Sequence, residues 1–201
     1  MNQNTFSSRD KESAVAEMVE ALRVSQNASD MMDEAFSSLL RINRTDSRCL
    51  DIVHRLGRIT AGDLARMSGL TTGAVTTVVD RLEQAGYLRR IRDTEDRRKV
   101  FLEATERANR LAEAVYGQIS EVGQRRMGDM NIEDIIRVTR FLHINAHINK
   151  SLSDALREVC AAENDEDDPL KVAKAFATHM RSHSDTVDKG VDDIICGKTP
   201  E

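Results

Sequence analysis

Apolar residues recur at helical spacing over most of this chain. Val15, Met18, Val19 and Leu22, then Met31, Met32, Ala35, Phe36, Leu39 and Leu40, predict one long helix or two abutting ones, with Asn27 to Ser29 as the weak point. In "TDSRCLDIVHRLG", Thr45 is placed as an N-cap, Leu50, Val53 and Leu56 share one face, and Gly57 ends the helix. "RITAGDLARMSG" repeats that grammar. Arg58 and Ile59 read as a short extended piece, Thr60 as a cap with Asp63 three residues on, Leu64 and Met67 as inward-facing, and Gly69 as the stop. The next segment, "LTTGAVTTVVDRLEQAGYL", is rich in β-branched residues and invites a strand. Strict alternation fails, because Thr76 and Thr77 are adjacent and so are Val78 and Val79. At about 100° per residue, Val75, Val78, Val79 and Leu82 form one stripe, with Gly73, Thr76, Thr77, Asp80 and Arg81 opposite. The pattern predicts a helix from the Thr71 cap to Gly86.

Beyond Gly86, "YLRRIR" and "RKVFLEA" are short extended runs joined by the charged turn "DTEDR", which reads as a β-hairpin. Thr105 opens a helix carrying Leu111, Ala112, Val115, Ile119 and Val122, and Asn131 caps a last long helix. Ile132, Ile135, Ile136, Thr139 and Leu142 lie on one face of that helix. Val138, Phe141, Ile148, Leu152, Ala155 and Leu156 extend over a second. Burial on two sides is most easily met by a homodimer. "AAENDEDDP" reads as an acidic linker, "LKVAKAFATHM" as a short helix, and the last twenty residues as a mobile tail.

Charge sharpens this picture. The net charge of -5 sits in residues 161–201, leaving residues 1–160 neutral overall, while Tyr87 to Val100 carries a local excess of +3. A basic patch on a neutral body suits a nucleic-acid partner. The 201 residues hold 3 Cys without paired spacing, 2 Pro and no Trp, so neither a disulfide framework nor a structural zinc site is indicated. No apolar run is long enough to span a bilayer and the N-terminus lacks the plan of a signal peptide, so the expected location is the cytoplasm, away from membranes.

Three short helices followed by a basic hairpin give the order of a winged helix-turn-helix. In that arrangement the third helix enters the major groove and the wing reaches phosphates or the neighbouring minor groove. Thr76, Thr77 and Arg81 would face base edges and phosphates. Thr72, with the amides of the helix N-terminus, would hold a phosphate, Thr71 belongs to the same DNA-binding face as the helix cap, and Gly73 would admit close backbone approach. Asp80 would repel phosphate, so a structural pairing with an arginine is expected for it.

The stretch Leu64 to Thr105, "LARMSGLTTGAVTTVVDRLEQAGYLRRIRDTEDRRKVFLEAT", resembles the MarR family of bacterial transcriptional regulators. The residues that carry the resemblance are Asp80-Arg81-Leu82-Glu83, Gly86, Arg90 and Asp96-Arg97-Arg98. It implies that Arg98 is the wing arginine entering the minor groove, braced by Asp96; with it, Arg90, Arg92, Arg97 and Lys99 of the basic hairpin are expected to make the wing contacts. Thr76 and Thr77 match positions on the family's base-reading face. Ala104 stands where the family usually has leucine, and residues 161–201 extend past its usual end. The implied protein is mainly α with a small β-hairpin wing, between long N- and C-terminal dimerisation helices. Residues 1–44 form an arm and dimerisation helix, 45–105 the DNA-binding lobe, 106–160 the C-terminal dimerisation helices, and 161–201 the linker and tail. Its implied partner is double-stranded DNA with a pseudo-palindromic operator, and its implied activity is repression relieved by a small-molecule effector, in this family often an aromatic acid or other lipophilic anion.

Other chemistry is thin. His143 and His147, like His179 and His183, have the i, i+4 spacing of a zinc pair, but no cysteine completes a set and no metal or other cofactor is expected. Cys49 lies near a helix start, which would lower a thiol pKa, yet its face is apolar and a buried structural thiol is the expectation. Met18, Met31, Met32 and Met67 read as core. No nucleophile elbow, phosphate loop or HExxH occurs, so an enzyme is not expected. The remaining alternatives are a metal- or redox-sensing regulator of the same fold, and an interaction protein whose acidic tail competes for the wing.

Overall fold

Asn27 to Ser29 does not interrupt the first helix. α1 runs from Lys11 to Leu40 in one piece, because two Asn/Ser positions among strong helix formers cost only a few tenths of a kcal/mol each. The computed structural model describes residues 11–94, 96, 99–162 and 168–197. α1 ends where Arg41 takes a left-handed φ of 57°, letting the amides of Arg41 and Ile42 bond back to the carbonyls of Ser38 and Ser37, both at 3.1 Å. α2 spans Arg44–Leu56, and its cap is Asn43 rather than the expected Thr45. Asn43 Oδ1 accepts from the Asp46 amide at 2.9 Å while its Nδ2 donates to Asp46 Oδ2 at 3.0 Å. That reciprocal pair satisfies the helix start two residues earlier than a lone threonine would.

β1 (Arg58–Thr60) leads into α3 (Ala61–Ser68), which opens with the expected Thr60–Asp63 capping box. α4 (Thr72–Gln84) follows with Thr71 as its N-cap. β2 (Leu88–Arg92) and β3 (Val100–Ala104) form the hairpin. β1 joins it as a third antiparallel strand in the order β1-β3-β2, pairing Ile59 with Leu102. α5 (Glu106–Met127), α6 (Ile132–Ala162) and α7 (Pro169–Ile195) complete the chain.

The chain divides into two compact units, at Gln118 and Ile119. In the first, Val53, Leu64, Val75, Val79, Leu82, Leu88 and Leu102 are almost fully shielded and join the three short helices to the sheet. Each such side chain contributes roughly 1.5–3 kcal/mol on burial. The β-branched stripe of α4 is thus the inward face, as its period requires. Tyr87, buried just after α4, donates its hydroxyl to the Leu40 carbonyl at 3.1 Å and so ties the lobe to the last turn of α1. The methionines depart from expectation. Met18, Met31 and Met67 are exposed, as are Val15, Val19 and Val24, so α1 carries a bare apolar stripe ahead of the buried Phe36 and Leu40.

In the second unit the tail differs most from the sequence reading. Residues expected as a short helix and mobile segment form the 27-residue α7, capped by Asp168 with Pro169 in its first turn. Val172, Ala175, Phe176, Met180, Val187, Val191 and Ile194 fall at helical spacing, with a gap of two turns between Met180 and Val187, and all are at least partly covered. α7 runs back along α6, bringing His179 to Glu158 and Gly190 to His147. Each of the two apolar rows of α6 is covered in part within the chain, through Ile135 in the first and Phe141, Ile148, Leu152 and Ala155 in the second. Ile132, Ile136, Leu142 and Leu156 remain exposed.

Candidate nucleic-acid interface

Thr72, Gly73, Thr76, Thr77 and Asp80 all lie on the solvent side of α4, opposite the buried valines. The hydroxyls of Thr76 and Thr77 donate to the carbonyls of Thr72 and Gly73, at 3.0 and 3.2 Å. This fixes each χ1 and leaves the hydroxyl oxygens able to accept from outside. A Cβ added at Gly73 would meet nothing within 4 Å, so that side of α4 is open. The helix presents small, hydrogen-bonding side chains on a rigid base, as a major-groove reader requires.

The arginines divide sharply. Arg81 is half-exposed but is bonded back to α2. Its Nε and Nη2 donate to the two oxygens of Asp46 at 2.8 and 2.5 Å, and the Asp46 side chain is only 3% exposed. Arg90 is also engaged at the lobe's surface, paired with Asp80 at 2.5 Å and with Glu83, which fastens β2 to α4. Asp80 thus has the arginine partner expected of it. Arg89 and Arg58 flank Glu103 from the two neighbouring strands, at 2.8 and 2.9 Å, and hold its carboxyl below the ordinary glutamate range. Among the described residues, Arg92 and Lys99 are exposed and have no carboxylate partner. The wing turn is closed by the Asp93 amide on the Lys99 carbonyl at 3.0 Å, and the Lys99 amide on the Asp96 carbonyl at 2.8 Å. Arg97 and Arg98 lie outside the described residues, so the implied bracing of Arg98 by Asp96 does too.

Asp46 and Tyr87 are positioning residues that hydrophobic periodicity does not reveal. A signal for Asp46 is present, since Asn43 followed three residues later by Asp is a capping signature. Nothing in the local sequence pairs Asp46 with Arg81, 35 residues away.

A cavity of about 690 Å³ lies in the same unit, between α1, α2 and α5. Phe36 and Tyr116 meet there edge to face, with ring centroids 4.9 Å apart. The volume falls within the usual range for small-molecule sites, roughly 300–1,000 Å³.

Burial pushes the Cys49 thiol up rather than down, so it is poorly disposed to act as a thiolate. His179 and His183 stack at 4.1 Å, and His147 Nε2 is buried without a hydrogen-bond partner. Among the described residues, no group of three or more His, Cys, Asp or Glu side chains could hold a metal ion. Nor is any described helix long and apolar enough to cross a membrane.

A buried three-helix lobe, an outward α4 and a charged β wing define a winged helix-turn-helix DNA-binding protein. Residues 42–100 match the family model described as MarR family. The chain is 30% identical over 128 residues to the uncharacterised HTH-type transcriptional regulator YcgE of Bacillus subtilis, covering 64% of this chain and 83% of that one. It is 28% identical over 116 residues to the uncharacterised HTH-type regulator YfiV of the same organism, covering 58% and 69%. The fold also resembles that of a MarR family protein from Bacillus stearothermophilus, with a TM-score of 0.52 and 22% identity over 71% of this chain and 99% of that one. This chain belongs to the MarR family: it is a DNA-binding transcriptional regulator, and its family is not one of enzymes.

Proposed function

We propose that the chain works in the cytoplasm as a homodimeric repressor, which holds a pseudo-palindromic operator and releases it when a small molecule enters the α1–α2–α5 cavity. The observation that carries this reading is the cavity's position. It is lined by Phe36 and Ser37 on the last turns of α1, and Tyr87 links Leu40, at the end of that helix, to the segment following α4. A ligand that shifts α1 therefore has a short mechanical route to the recognition helix. Ligands change DNA affinity only by preferring one arrangement over another.

In this reading Thr72, Gly73, Thr76 and Thr77 meet base edges and the adjoining phosphates, with Thr71 at the helix start. Arg92, Lys99, Arg97 and Arg98 serve the wing. Arg81 and Arg90 act through the lobe, holding α4 and β2 in place. The bare apolar stripes of α1 and α6 support self-association. Footprinting on a promoter that the protein retains tests the dimer directly. Two protected half-sites, centred about 10 bp or about 34 Å apart, are expected. A single half-site bound by a monomer contradicts the proposal.

A further inference from the structure

The charges around the cavity bear on what its ligand is. Three arginines line it, and two are occupied: Arg44 by Asp30 at 2.6 Å and Arg55 by Asp51 at 3.0 Å. The third, Arg48, directs its guanidinium to the Ser68 carbonyl at 3.2 Å, on α3. Two lining carboxylates are left. Among the described residues, Asp33 on α1 and Glu113 on α5 have no cationic partner. The Glu113 carboxylate lies against its own helix one turn on, where Gly117 carries no side chain, with Oε1 3.0 Å from where a Cβ would stand.

These carboxylates share the cavity with the Phe36–Tyr116 ring pair. Burial, and after it the charges of Asp33 and Asp51, push the Tyr116 phenol up from its ordinary value. An anion entering would meet Arg48, which has no carboxylate partner among the described residues, but in a lining of four carboxylates against three arginines it would also meet the uncompensated charges of Asp33 and Glu113. A cation would gain from both, and from the ring faces.

We infer that the effector of this pocket is a lipophilic organic cation, its charged centre held by Asp33 and Glu113 and its aromatic or alkyl groups against Phe36 and Tyr116. The inference rests on reading the cavity as the effector site, and it departs from the aromatic acids that the family resemblance implies.

Tetraphenylphosphonium and tetraphenylborate have the same shape and opposite charge, which isolates the point at issue. In calorimetric titrations of the full chain, the phosphonium is expected to bind at least tenfold more tightly than the borate. Asp33→Asn combined with Glu113→Gln, at exposed positions that leave the apolar walls intact, is expected to weaken phosphonium binding about tenfold. Equal or tighter binding of the borate, failure of the phosphonium to bind, or an unchanged phosphonium affinity in the double variant overturns the inference. Retention of promoter DNA in the same samples separates the two levels. Borate that binds more tightly and releases DNA overturns the cation and leaves the effector reading standing; phosphonium that binds selectively without releasing DNA supports the cation and contradicts the effector reading.

Discussion

Arg81 of the recognition helix is clamped by the buried carboxylate of Asp46, through two hydrogen bonds of 2.8 and 2.5 Å. Asp46 is itself held by the Asn43 cap at the start of α2, so one acidic side chain sets both the start of α2 and the orientation of α4. Removing Arg81 leaves that carboxylate buried and short of donors. For Asp46→Ala and Arg81→Ala measured in a double-mutant cycle, the double variant is expected to lose clearly less stability than the two single losses added together. Additive losses of stability, seen by denaturant unfolding, would show that the pair does not act as a unit.

The two classes of arginine separate by salt. Arg92 and Lys99 are exposed without a carboxylate partner among the described residues, so alanine at either is expected to reduce the slope of log affinity against log salt by about 1. Arg90 is spent on Asp80 and Glu83. Arg90→Ala is expected to weaken DNA binding by loosening β2 while leaving that slope unchanged. An equal drop in slope for Arg90→Ala would place it at a phosphate.

Gly190 gives the second unit its close approach. A Cβ there would overlap the ring of His147, whose Nε2 is already buried without a partner. Gly190→Ala is expected to displace the imidazole and to speed proteolysis within α7. Adding His147→Ala is expected to restore wild-type resistance, because the smaller side chain makes room. Unchanged proteolysis in Gly190→Ala would show that α7 is not seated through this contact.

Much of the DNA-binding lobe is legible in the sequence because its cues are local. Thr60 with Asp63, Thr71, and the stripe of Val75, Val78, Val79 and Leu82 each state a helix and its facing within one or two turns. The features that stay hidden depend on residues far apart in the chain. Periodicity places Arg81 opposite the valines and so facing outward, and no spacing rule supplies Asp46. Arg90 is hidden in the same way, because its partners Asp80 and Glu83 sit on another element. β1 shows in the sequence as two extended residues, and only Leu102 opposite Ile59 makes it a strand. In the tail, acidic composition masks an apolar repeat from Val172 to Ile194. That repeat is weak alone and becomes a helix by packing on α6.

The central claim is that the outward threonines of α4 read sequence. Its most direct test compares wild-type protein and Thr77→Ala on two duplexes, one selected by the wild-type protein from random sequence and one unselected, at a single salt concentration. Thr77→Ala is expected to lose about tenfold or more on the selected duplex, corresponding to roughly 1–3 kcal/mol for a base contact, and to bind the unselected duplex as wild type does. Equal affinity of the two proteins for the selected duplex, or an equal loss on both, would contradict the claim.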